Sequence, residues 1–189
     1  MVHLNRLEGP ALEAYLLLRR QMMVEAARIH RLDFSVAWDI PSPPPPDAVS
    51  YKSLLPGPNA ALKIEDLEPK DLGIECTSTT EYGYLFTGLT AGENRAAVST
   101  TVPNGRIIGI YGLLDSTPSP ALVQVDVNVG DREARVWPVR AGQSEINDQM
   151  YFLDPIFVPE AQKLTIDLWM ATAQSERIQF LGLHVEPKS

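Results

Sequence analysis

Four carboxylates, Asp126, Asp154, Glu160 and Asp167, fall in or beside strand-like segments. Two of them held ~5–10 Å apart across a cleft would supply the acid and base of a glycosidase. Acidic residues also alternate outward from sandwiches for solubility alone, and no spacing here sets two across a cleft. The histidines His3, His30 and His184 have no second ligand at metal spacing, so they read as surface or packing residues. Cys76 is the only cysteine, which excludes an intramolecular disulfide and a multi-Cys zinc cage. Its alternation with Ile74 suits a small buried hydrophobe. The acidic stretch Glu65-Asp66-Leu67-Glu68 lacks the alternating oxygen ligands and glycine of a calcium loop and reads as solvated charge. No G-x-S-x-G, G-x-x-x-x-G-K-[ST] or H-E-x-x-H motif occurs. The expectation is a non-catalytic chain without cofactor or metal. Tyr82, Tyr84, Trp137, Tyr151 and Trp169 are candidates for a sugar-stacking platform, although Trp137 and Trp169 suit a core equally well.

The elements that would carry these residues divide at Pro41-Ser42-Pro43-Pro44-Pro45-Pro46. Before that run, residues 1–31 hold five arginines against three glutamates; the whole chain is −8, so the remainder is −10. The acidic balance argues against nucleic acid as the main partner. No targeting segment is read at the N-terminus, and Leu16-Leu17-Leu18, flanked by Glu13 and Arg19-Arg20, is far short of the ~20 apolar residues of a membrane span. The protein is expected to be made and kept in the cytoplasm of some cell, or released by lysis.

Residues 10–32 predict a helical arm. Gly9-Pro10 starts it, and Leu12, Tyr15, Leu16, Leu18, Met22, Met23, Ala26 and Ile29 share about half its circumference. A stripe of this kind must be covered, and an isolated helix of this length is marginal in water. The stripe can pack on its own sandwich, on another copy or protein, or on a membrane surface; docking on another copy or protein is the preferred reading. Residues 33–61 read as an extended linker. Pro41–Pro46 would form stiff polyproline II, bridging almost 20 Å at ~3.1 Å per residue. It is a spacer rather than an SH3 ligand, having no flanking basic residue. Phe34, Val36, Trp38 and Ile40 alternate before it, as in a segment able to add as a strand to a sheet edge.

From residue 62 to 189 the pattern is that of strands. Val123-Gln124-Val125-Asp126-Val127-Asn128-Val129 sets four valines on one face, and Gly130-Asp131 turns it into Arg132–Val139. Leu164–Met170 alternates in the same way. Ile178–Val185 is apolar on both faces and should be central. Ile107–Leu114, Tyr82–Thr87, Arg95–Val102, Ile74–Ser78 and Tyr151–Val158 complete eight or nine short strands. The fold class expected is mainly β: an antiparallel β-sandwich of jelly-roll type preceded by the α-helical arm and Pro-rich linker. Strand order is not readable from one chain, so a barrel or immunoglobulin-like order stays open.

A helical arm, a proline spacer and a strand-rich acidic body together resemble the cement or decoration proteins that tailed bacteriophages lay over their capsids. Phe180-Leu181-Gly182-Leu183-His184-Val185-Glu186-Pro187-Lys188 looks like the final strand of such bodies. The resemblance is one of organisation and carries over no functional residue. It implies a virion structural protein on the capsid surface, a homo-oligomer (dimer or trimer), bound across capsomers to the major capsid protein or another virion protein. Leu12, Tyr15, Leu16, Leu18, Met22, Met23, Ile29, Phe34 and Trp38 of the arm would make that contact. A carbohydrate-binding sandwich module and a single-jelly-roll major capsid protein are the alternatives.

Overall fold

The computed structural model describes residues 9–75, 83–130, 132–138 and 149–188. Helix α1 (Gly9–Ile29) is followed by a short α2 (Phe34–Trp38) and nine strands: β1 (Leu62–Asp66), β2 (Tyr84–Phe86), β3 (Gly92–Thr101), β4 (Ile107–Asp115), β5 (Leu122–Val129), β6 (Arg132–Pro138), β7 (Gln149–Val158), β8 (Lys163–Met170) and β9 (Glu176–Pro187). All pairings are antiparallel. One sheet runs β1-β9-β4-β7, with β2 also on β9; the other runs β3-β8-β5-β6. β1 pairs with the C-terminal half of β9 and β2 with its N-terminal end, so the two are halves of one interrupted edge strand. Counted that way, eight strands form two four-stranded sheets in jelly-roll order, the chain crossing between sheets at every connection except the β5–β6 hairpin.

Two apolar layers result. Ile108, Ile110, Leu113, Val125, Val127, Leu164, Ile166, Leu168, Ile178 and Phe180 fill the space between the sheets. Leu62, Ile107, Tyr111, Leu181, Leu183 and Val185 face the opposite way and meet α1. β9 is therefore central and buried on both sides, as its double apolar pattern predicts. β4 serves both layers by alternation, and a bulge between Ile110 and Gly112 shifts its phase so that Leu113 joins Ile108 and Ile110 in the inter-sheet core. A second bulge between Leu122 and Gln124 breaks the four-valine face of β5: Leu122, Val125 and Val127 are buried while Val123 is only half-buried. The extra residue changes the facing, which the alternation alone could not register.

The arm is not free. Tyr15, Leu18, Met22, Met23 and Ala26 of α1 are buried against the first sheet, with Leu12, Leu16 and Ile29 packed partly against the same layer. The helix approaches closely at Gly109, where a Cβ would lie 2.5 Å from Met22 Sδ. Tyr15 and Tyr111 meet edge to face at 5.0 Å. Burial raises the pKa of both phenols. This side of the sheet is dry.

The 33–61 segment departs from the extended linker expected. Phe34–Trp38 is helical, because apolar residues at i and i+4 satisfy a helix face as readily as they satisfy strand alternation. Trp38 is fully buried, and its Nε1–H donates to the Met23 carbonyl at 2.8 Å. Asp39 closes the helix at φ +57°, and the Gly57 N–H donates back to the Trp38 carbonyl at 2.8 Å. The proline run is tied to α1 by Arg20 Nε–H donating to the Pro44 carbonyl at 2.6 Å, and short 3-10 turns follow at Pro46–Ala48 and Lys52–Leu54. It is a layer laid over α1 and β1 rather than a spacer leading away from the body.

Candidate functional site

Among the described residues the densest group of titratable side chains forms where β1 pairs with the end of β9. The register sets Glu65 opposite His184 and Lys63 opposite Glu186. Leu62, Val185 and Leu183 point to the helix layer, so these four polar residues share the other face. Two further groups close over them. The 3-10 turn Pro69–Leu72 supplies Asp71 through a capping box with Glu68, whose N–H donates to Asp71 Oδ2 at 2.9 Å. The β3–β4 connection supplies Arg106.

The geometry is that of a closed ion network. Lys63 Nζ lies 2.9 Å from both Glu65 Oε2 and Glu186 Oε1. Arg106 bonds the other Glu186 oxygen and lies 3.8 Å from Asp71 Oδ1. His184 Nδ1 is 3.1 Å from Asp71 Oδ2, at ion-pair distance but off the line of a hydrogen bond. Its Nε2 is 3.7 Å from Glu65 and 4.0 Å from Glu186. Burial pulls the His184 imidazole down, but Asp71, Glu186 and Glu65 outweigh it and its pKa is raised. For Asp71 burial pushes upward, while His184 and the Glu68 N–H hold its pKa below the usual carboxylate value.

Glu65, His184 and Glu186 bring ligand atoms within 4.8 Å of one another, a set that could hold a divalent cation. The position between the two glutamates is the one the Lys63 ammonium takes. A metal would have to expel it, and the set is better explained as ion pairing. His184 beside Asp71 also has the form of an oriented acid–base pair. It is 5% exposed, however, and the nearby cavity bordered by Leu67, Leu72 and Phe86 is about 10 Å³, room for a single water.

The four carboxylates singled out from the sequence are dispersed, with one exception. Asp126 and Asp167 are direct cross-strand neighbours on the outer face of the second sheet. There each is engaged: Asp126 accepts from Trp169 Nε1–H and Gln124 Nε2–H, both at 2.8 Å, and Asp167 from the Ala96 N–H at 2.5 Å. Glu160 accepts from the Gly105 N–H at 2.7 Å, far from that face. Asp154 lines an open groove of about 660 Å³ with Gln21, Arg132, Phe157 and Gln162. His30 meets the Gly105 carbonyl at 2.8 Å, anchoring the end of the arm to the β3–β4 turn.

Among the described residues the candidate aromatics do not gather. Trp169 lies on the outer face of the second sheet, Tyr84 stacks on Phe86 at 5.0 Å and packs toward the inter-sheet core, and Tyr151 packs in the helix layer. Trp137 stands opposite Val125 in the β5–β6 register, but its side chain lies outside the described set. Tyr82, His3, Cys76 and most of the Ile74–Ser78 segment also lie outside the described residues; Ile74 itself is not in a strand.

Sequence reasoning missed Asp71, Arg106 and the pairing that joins them to His184. One signal was present: a histidine inside a strand apolar on both faces needs a polar partner. It also missed a buried carboxyl pair, Asp115 with Glu176, at the other end of β9.

No family model matches the chain, and no curated protein matches it in sequence. Among solved structures it is similar to a family GH115 4-O-methyl-α-glucuronidase with specificity for decorated arabinogalactans, at 14% identity and a TM-score of 0.25, over 56% of this chain and 13% of that one. At that level the likeness carries no argument about fold or activity. No described helix is long and apolar enough to cross a membrane.

Proposed function

We propose that this protein is a non-catalytic cement or decoration protein of a tailed-phage virion, binding through its N-terminal layer to the major capsid protein. The observation that carries the reading is the distribution of exposed apolar side chains. Of the seven large ones among the described residues, five, Leu17, Val24, Val36, Tyr51 and Leu55, belong to the layer formed by residues 9–61. Leu17 and Val24 lie two turns apart on the outward stripe of α1. The inward stripe is spent on the protein's own sheet, so contact with a shell would use the outward side and not Met22, Met23 or Trp38. Dimers or trimers on the capsid surface would multiply each weak contact by effective concentration.

Jelly-roll strand order favours a second reading, a single-jelly-roll shell protein that tiles by its own faces. The two are separated by co-sedimentation with shells of a tailed-phage major capsid protein. The cement reading expects the full chain to bind shells without forming particles alone, and Leu17→Asp with Val24→Asp to abolish binding while leaving the fold intact. Unchanged binding by that double variant sinks the docking surface, and self-assembly of the isolated protein transfers support to the shell reading. Capture by glycans, lost on replacing Trp169, would instead favour the carbohydrate module.

A further inference from the structure

At the end of β4 and the start of β9 lie two carboxyl groups that water does not reach. Asp115 and Glu176 are both 0% exposed. One oxygen of each has donors: the Thr117 N–H bonds Asp115 Oδ1 at 2.9 Å, and the Ala121 N–H and Gln174 Nε2–H bond Glu176 Oε1 at 2.6 and 2.7 Å. The others, Asp115 Oδ2 and Glu176 Oε2, are buried without any hydrogen-bond donor. The backbone brings the two together, since the Ser116 N–H, next to Asp115, donates to the carbonyl of Arg177, next to Glu176, at 2.9 Å.

Among the described residues the surroundings supply no counter-charge. From β2, Phe86 stands opposite Glu176 and Tyr84 opposite Ile178. From the two connections come Thr117, Ser119 and Gln174, all neutral. Arg177 contributes only its backbone, its N–H donating to Thr117 Oγ1 at 2.7 Å and its carbonyl accepting from the Ser116 N–H at 2.9 Å, while its side chain is exposed. Two adjacent carboxylates in a dry interior cannot both ionise without a large penalty. A single proton between them removes one charge and turns two orphan acceptors into one charge-assisted O–H···O⁻ bond.

We propose that Asp115 and Glu176 hold one proton between them, and that this proton latches the β4–β5 connection to the start of β9, so that this end of the sandwich tightens on acidification and loosens as the proton leaves. The latch has mechanical reach. Glu176 holds Ala121, Gln174 holds the Ser119 carbonyl at 3.2 Å, and the Ala171 N–H donates to the Ala121 carbonyl at 2.8 Å, joining residues 116–121 to 171–177. Burial is the main force, with Glu176 beside it, that raises Asp115 to about 6. The folded value lies above the unfolded one, so the stabilisation is complete below the ordinary Asp range and is lost as pH rises through about 6.

Urea unfolding of the full chain and of Asp115→Asn, each at about pH 5 and about pH 7, tests this. The wild-type folding constant should fall about tenfold more than that of the variant over that interval. His184 titrates in both proteins and cancels from the comparison. Equal losses overturn the proposal. Glu176→Gln serves as the second variant: it removes the second site for the proton but leaves Asp115 buried, so its loss should fall between those of the wild type and Asp115→Asn, and a loss equal to the wild type's overturns the sharing. Should neither variant fold, infrared absorption of the folded wild type decides. A protonated carboxyl band at about pH 5 that fades as pH rises through about 6 supports the shared proton, and its absence refutes it.

Discussion

At its C-terminal end β9 places His184 and Glu186 among Asp71, Glu65, Lys63 and Arg106; at its N-terminal end it sets Glu176 against Asp115 with no cation in reach among the described residues. Both arrangements bury charge in the same sheet. The first neutralises carboxylates with bases drawn from three separate segments, and the second neutralises one carboxylate with a proton. Counter-ions need register and connecting turns to arrive together, so the first arrangement ties β1, β9, the Pro69–Leu72 turn and the β3–β4 connection into one structure. A proton needs nothing but proximity. It also leaves when the pH changes, which a lysine or arginine does not do in the same range.

The largest expected effect comes from breaking the counter-ion end. Asp71→Ala leaves His184 and Arg106 without their buried partner and should cost about 3–5 kcal/mol in urea unfolding. A loss below about 1 kcal/mol would mean that the network is solvated in practice and that the contrast between the ends is overstated.

Overpacking β4 between the two ends comes next. Gly109→Ala drives a methyl group into Met22 Sδ and should cost about 1–3 kcal/mol, with melting temperature as the readout. An unchanged melting temperature would show that α1 shifts freely on the sheet and is not part of the core.

Sign of pH dependence sharpens the comparison further. The counter-ion end has limits on both sides. Asp71 contributes stability above its ordinary carboxylate value that is lost as pH falls through its depressed folded value, and His184 contributes stability below its ordinary value that is lost as pH rises through its raised folded value. The carboxyl end has an upper limit alone. Amide hydrogen exchange should therefore speed up in residues 62–66 and 183–187 at both acid and alkaline extremes, and in residues 116–121 and 171–177 only on the alkaline side. Matching profiles at the two ends would remove the distinction.

Lys63→Met should have the smallest effect, about 1 kcal/mol or less, since its ammonium is partly exposed and its two partners keep access to water or to Arg106. A much larger loss would reveal the lysine as the keystone of the network.

Periodicity made the helix and most strands legible, because 3.6-residue and two-residue repeats are local properties of Leu12–Ile29, Leu164–Met170 and Ile178–Val185. The turn after β5 was legible from its glycine, Gly130, which stands at φ +60°. Strand β1 was not, since Glu65 and Asp66 read as solvated charge while their partners lie on the last strand. Phe34–Trp38 misled because its apolar spacing satisfies both periods at once. Asp71, Arg106 and His184 meet only through register and turn geometry. Asp115 and Glu176 look like ordinary acidic strand ends until β4 and β9 are laid side by side.

The split of one sheet edge into β1 and β2 bears on behaviour at high local concentration. A long uninterrupted edge offers a row of unpaired amides and carbonyls on which a neighbouring chain can polymerise. Here that edge is five residues, an excursion through the Pro69–Leu72 turn, and then three residues. Neither piece is long enough to template a foreign strand, so this edge resists strand addition by a crowded neighbour, and the longer edges of the two sheets are β7 and β3.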